Sequence, residues 1–301
     1  MHAQRRHSRA VQGTLPLVAT LALTLALASA IGLSEVAANH PVLVEGNCNV
    51  PPVGSSPVIT PGTCGDHDGD GLIGTAEDMD GDRVFGTVAG ALGAAGANQN
   101  GRVVIVTSGT FAEVVNLTAA NGNVTLEAAA GVDASIDAVL QGDPGSAGRQ
   151  NAPGILVNAP VDRIVTIRNL MSRNWTDGVR IQGSSRVFID NVRVEHNVNH
   201  GIRVSDAARA TINAANVSGT GFRVSGNGDF PISSVPSPGT GILFEDDSSG
   251  IISNTIVTRS FGAGIENATS GTVELLHVVS TDGNPAFAGV RNNLTRDSIA
   301  R

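Results

Sequence analysis

The run Asp66–Glu77 carries the most specific chemistry in the chain. Asp66, Asp68 and Asp70 put acids at positions 1, 3 and 5, Gly71 stands at 6, Ile73 at 8 and Glu77 closes at 12. A hard cation such as Ca2+ takes about six to eight oxygens, and this spacing wraps the chain so that the carboxylates converge on one ion, joined by the backbone carbonyl of Leu72 at position 7. Without a cation, so many acids would repel one another; the competing reading is a solvated acidic loop. Asp78, Asp80 and Asp82 restart the pattern, but Arg83 takes the place of the turn glycine and Ala89 that of the closing acid. They either bind a second, weaker ion or donate to the first. Cys48 and Cys64, the only cysteines, stand just upstream. In an exported chain such a pair reads as a disulfide closing a Pro-rich loop; the alternative, two metal ligands, lacks a partner Cys or His at suitable spacing.

A second set of polar residues is spread further apart: Trp175, Asp177, Arg180, His196, His200, Arg203, Glu245 and Glu266. A tryptophan can stack on a sugar ring, arginines can hold a carboxylate or sulfate, and paired acids can hydrolyse a glycosidic bond. A repeating fold would bring residues at these separations onto one face. Short strands headed by glycine do recur, at Gly154, Gly178, Gly201, Gly241, Gly264 and Gly289, at intervals of 24, 23, 40, 23 and 25. A second strand family lies between them, at Val165, Val187, Ala210, Ile251 and Thr272. Each strand is a few residues long, alternates apolar and polar positions and is bounded by Gly, Asn, Ser or Asp. A period near 23 residues with two or three strands predicts an all-β fold, a parallel solenoid whose coils stack at about 4.8 Å and bury one continuous core. Leucine-rich repeats share the period, but their leucine pattern is absent. The 40-residue interval holds either an insertion, about 222–238, or an irregular extra coil.

In the glycine-headed strands the first residue points inward and the second outward. The outward column is then Leu156, Arg180, Arg203, Leu243, Glu266 and Arg291. The turns feeding it carry Trp175, Asp177, His196 and His200. Glu245 and Glu266 lie two residues along and one coil across, roughly 8 Å apart, which suits an inverting hydrolase. The bland alternative is that Arg180 and Arg203 pair with Asp177 and Glu195, and that Trp175 covers a turn. His196 and His200 are four apart but on a turn, which makes a poor zinc site.

The run from Arg102 through Ser108-Gly109-Thr110-Phe111 to Leu117, followed by the strand at Asn123, resembles the opening coil of right-handed parallel β-helix proteins of the pectin-lyase-like superfamily. The resemblance covers about residues 85–301. It implies an N-terminal capping helix, with Phe85, Val88, Ala89 and Leu92 on one face, and polysaccharide lying across the glycine-headed strands. It also implies a lyase base at Arg203 if the chain is catalytic. The motifs of polygalacturonases, alginate epimerases and pectate lyases are absent, so the expected function is an exported, calcium-binding protein that binds or acts on polysaccharide or cell-surface glycan. The alternative is a non-catalytic structural or adhesive solenoid. The run Asp66–Glu77 is similar to EF-hand loops of extracellular proteins, dockerin modules among them, in which calcium is structural.

The N-terminus reads as an export signal, with Arg5, Arg6 and Arg9 before the apolar stretch Leu17–Leu27 and cleavage after Ala30 or Ala38; the alternative is an uncleaved anchor. The expected organisation is a signal at 1–38, a disulfide and calcium segment at 39–84 and the solenoid at 85–301, secreted or at the cell surface and with no membrane span after cleavage. A formal charge of −8 on 301 residues opposes a nucleic-acid partner. No capping pattern is evident at the C-terminus. The last coil is closed by the tail, completed by self-association with another subunit, or left short.

Overall fold

Three short strands and three tight turns make one coil of the chain. The computed structural model describes residues 41–45, 84–96, 100–138, 152–220, 239–281, 285–289 and 294–300. The chain divides into two units, Met1–Ala38 and Asn39–Arg301, and every described residue lies in the second. Cys48, Cys64, the acids from Asp66 to Asp82 and the export signal lie outside the described residues.

One coil runs through Asp177–Ile181, Arg186–Asp190 and Arg193–Glu195 before His200–Val204 opens the next. The first of these belongs to a seven-stranded front sheet; the other two belong to a sixteen-stranded sheet, one in a row of long strands and one in a row of short strands. All three pair in parallel with their counterparts one coil away. Parallel neighbours need a long crossover, and here each crossover consists of the other two strands of the coil. This is a parallel β-solenoid.

The period-two pattern sorts side chains as expected. Ile155, Val179, Ile202, Ile242 and Ile265 form one inward ladder of the front sheet, and all are buried. Leu126, Ile167, Ile189, Ile212, Ile252 and Leu275 form the facing ladder of the long row. Size is balanced between rows, for a Cβ added at Gly250 would meet the Phe244 ring at 2.7 Å.

The glycine that heads each front strand has a steric cause. A Cβ at Gly178, Gly201 or Gly241 would lie 2.4 Å from Cγ1 of Val194, Val217 or Val257, the inward residue of a short strand. Any side chain there would displace the core. Gly289 does not belong to this series. Register pairs Glu266 with Ala288 and Asn267 with Gly289, so the true head of that strand lies three residues earlier, at Ala286. The outward column therefore ends at Ala288, and Arg291 lies outside the described residues.

The turn between long and short rows is one left-handed residue, occupied by Asn169, Asn191, Ala214, Asn254 and His277. Asparagine tolerates this backbone better than most residues. Its amide also bonds along the stack, as Asn191 Nδ2 donates to Asn169 Oδ1 at 3.0 Å.

Helix Val88–Gly96 buries Val88, Ala91, Leu92 and Ala95; Ala89, expected on that face, is exposed. The helix packs on strand Asn100–Ile105, where a Cβ at Gly101 would meet Ala95 at 2.6 Å. The Glu113 carboxylate accepts the first amides, from Val88 at 2.7 Å and Ala89 at 2.9 Å, at the positive end of the helix dipole. Val42–Val44 also joins the solenoid, pairing with both Val84–Phe85 and Asn100–Ile105. Across the 40-residue interval no further coil is stacked between the two front strands, since His200–Val204 pairs directly with Thr240–Asp246. The tail folds onto the last coil, where Leu294–Ala300 pairs with Val273–Ser280.

Candidate functional site

The corner that feeds the front sheet is the variable one. Connections 139–151 and 221–238 both leave it, after Ala134–Asp137 and Asn216–Ser218 respectively. Between them lie two coils with short turns, and these coils present Asp177, Arg180, His200 and Arg203.

Register places Asp177 opposite His200 and Arg180 opposite Arg203. Asp177 is fully buried at the mouth of its strand. Its Oδ1 lies 2.7 Å from His200 Nδ1, and its Oδ2 accepts from Arg180 Nε at 2.7 Å and Nη2 at 2.5 Å. Burial pushes the Asp177 carboxyl up, but the hydrogen bonds and positive charges of His200 and Arg180 outweigh it and hold the group below its ordinary value. A buried carboxylate thus fixes the orientation of an imidazole whose side chain is 18% exposed. Among the described residues, Nε2 of that ring has no hydrogen-bond partner. An oriented imidazole with one free nitrogen is suited to moving a proton.

Arg203 does not meet Glu195. It reaches diagonally into the next coil, where Nη2 and Nε lie 2.5 and 2.6 Å from Oε1 of Glu245. Glu195 instead pairs with Arg193. Arg203 and Glu245, each expected as a catalytic group, are thus held together in one ion pair. Glu266 holds the outward position expected for it, opposite Leu243, and accepts from Thr240 Oγ1 at 3.1 Å.

Trp175 overturns its expected role. It is completely buried, and its indole Nε1 donates to the Ile136 carbonyl at 2.9 Å. Gly154 and Ser172 leave the space, since a Cβ at Gly154 would lie 2.5 Å from the indole ring and 2.4 Å from Ser172 Oγ. The ring fills the inside of the corner and offers no face to a sugar. His196 occupies a left-handed turn position with its ring against Gly219 of the next coil. Among the described residues, no hydrogen bond or ion pair joins it to the Asp177 group.

Farther along the solenoid, Glu127 lies between Arg102 and Arg168 and pairs with both. Burial raises its carboxyl, but the two arginines lower it further and the net shift is downward. This clamp ties three successive strands of the long row. No group of three or more His, Cys, Asp or Glu that could hold a metal occurs among the described residues.

The parallel three-strand coil with one-residue asparagine turns defines a β-helix. A family model described as right handed beta helix region matches residues 102–283, and the chain belongs to that family. Among solved structures, an alginate lyase from Paenibacillus sp. str. FPU-7 is similar at 14% identity and a TM-score of 0.44, over 70% of this chain and 86% of that one. Pectate lyase Pel9A is similar at 13% identity and a TM-score of 0.46, over 87% of this chain and 68% of that one. No curated protein matches the sequence. No helix among the described residues is long and apolar enough to cross a membrane.

Proposed function

We propose that this is an exported, calcium-binding β-helix protein that binds acidic polysaccharide across the front sheet. The observation that carries the reading is the Asp177–His200–Arg180 group beside Arg203. The arginines supply charge for a uronate carboxylate, and His200 is the group suited to chemistry on it. In a β-elimination, His200 Nε2 would take the proton from the carbon bearing the carboxylate. The electron pair forms a double bond to the neighbouring ring carbon, and the glycosidic oxygen leaves that carbon and is protonated by solvent, to which His200 then returns its proton. Arg180 and Arg203 would balance the charge that develops on the carboxylate. Residues 39–301, with calcium, tested against neutral and uronate-rich polymers, should give both new reducing ends and the ultraviolet absorbance of unsaturated uronates. His200→Ala should lose both signals and retain binding. Reducing ends without absorbance would contradict elimination, and absence of binding to every polymer would contradict the reading as a whole.

The run Asp66–Glu77 is the proposed calcium site. Its support is the ligand spacing and the position of the segment. Residues 46–83 leave and return on neighbouring strands, Val42–Val44 and Val84–Phe85, so a bound ion would tighten the start of the solenoid, which helix Val88–Gly96 would cap. Calcium should then raise the melting temperature, and Glu77→Gln should shrink that rise; no calcium effect on the unmodified chain would refute the site.

A second reading, a non-catalytic structural solenoid, is favoured by one observation. The front-sheet charges Asp177, Arg180, Arg203 and Glu245 already have protein partners. Under that reading His200→Ala changes neither binding nor turnover.

A further inference from the structure

The outward side of the long row carries a separate cationic feature. Register sets Arg186 directly opposite Arg209 on neighbouring strands, which parallel pairing places about 4.8 Å apart. Both are exposed, and like charges so placed repel. Among the described residues, Arg102, Arg168, Arg173, Arg180, Arg193 and Arg203 each have a carboxylate partner. Arg186 and Arg209 have none.

Apolar surface lies beside them. Phe188 is 42% exposed and Ile251 37% exposed, and register sets Thr211 between them. These residues, with Ser249 and Glu274, line an open groove of about 310 Å3, at the lower end of the size range of small-ligand sites. A cation pair without a counterion and an aromatic ring left in water each carry a cost. One kind of ligand relieves both, a ring with an apolar face and an attached carboxylate.

We propose that this groove binds a uronic acid residue of an acidic polysaccharide, with Arg186 and Arg209 sharing the carboxylate and Phe188 beneath the sugar ring. A neutral sugar would leave the arginines unmatched, and a free inorganic anion would leave Phe188 exposed. Glu274 repels a second carboxylate at its end of the groove, which favours one uronate per groove. The site lies on a different sheet from the Asp177 group and does not rest on the function proposed for it.

The test uses the full chain carrying Phe188→Trp. The native Trp175 is buried and gives a constant background, which the unmodified protein measures. Titration with trigalacturonate should give a saturable change in emission, while neutral maltotriose gives none. Adding Arg186→Ala and Arg209→Ala should weaken binding at least about tenfold, as expected for lost charge-assisted hydrogen bonds, without lowering the melting temperature. The signal should survive Arg203→Ala. An absent signal, an equal response to maltotriose, indifference to the two arginine changes or loss of the signal in Arg203→Ala would each overturn the proposal.

Discussion

The front sheet and the long row are built from the same coils, yet they treat charge in opposite ways around Arg186 and Arg209, although nearer its start the long row pairs Glu127 with Arg102 and Arg168. On the front sheet Arg180 lies on Asp177 and Arg203 on Glu245, and the carboxylate of the first pair is buried. On the long row Arg186 and Arg209 stand side by side with no acid partner among the described residues, next to an exposed Phe188. A stacked fold repeats whatever each coil contributes, so a column of one charge must be neutralised by neighbours or by a ligand. The front sheet does the first, as does the long row at Glu127; the pair Arg186 and Arg209 is left to the second. Pairing on the front sheet positions a histidine; the lack of pairing on the long row leaves an anion site.

The largest effect should come from the corner behind the front sheet. Trp175→Ala empties the space inside the coil and removes the bond to Ile136. It should cost about 3–5 kcal/mol of stability in denaturant unfolding, in the range for large aromatic truncations. A loss under about 1 kcal/mol would show that the ring is not part of the core.

Asp177→Asn comes next. It leaves Arg180 and His200 without their buried counter-charge and should cost about 3 kcal/mol, typical of breaking a buried pair. The pH dependence has a definite sign. The Asp177 carboxyl is held below its ordinary value of 3.8, so the stability it contributes is fully present above about pH 4 and is lost as pH falls through the folded-state value. Denaturant midpoints measured from about pH 6 down to pH 2 should fall less steeply in the variant. Some acid sensitivity will remain, because Glu127 is lowered in the same direction. Equal slopes in the two proteins would contradict the assignment.

The smallest effects separate the two faces most cleanly. Arg203→Ala removes one member of a partly exposed pair and should cost about 0–1 kcal/mol. Arg209→Ala removes a repulsion and should leave the melting temperature unchanged or slightly higher. If Arg209→Ala were the more destabilising of the two, the long-row arginines would have structural partners after all.

Most of the scaffold is legible in the sequence because its rules are local. Alternation of period two told inward Ile202 from outward Arg203, and the recurring glycines marked the heads of strands. The misreadings arose where contacts between coils decide the outcome. Trp175 looked available on a turn, and only the void beside Gly154 and Ser172 shows why it turns inward. Gly289 followed by Val-Arg mimics a strand head, but stacking on Glu266 selects Ala288 instead. Arg203 chooses Glu245 over Glu195 through a diagonal across coils that linear spacing does not encode. Arg186, Arg209 and Phe188 were missed as a group although their signal was present: at these three outward positions the second strand family is cationic and aromatic where its other outward positions are mostly small, polar or aliphatic.

The most direct measurement titrates trigalacturonate into the full chain carrying Arg186→Ala and Arg209→Ala, which removes the long-row site and isolates the front sheet. One class of sites should remain by calorimetry, and adding Arg203→Ala should weaken it at least about tenfold with little change in melting temperature. No residual binding, or binding indifferent to Arg203, would contradict a polysaccharide site on the front sheet.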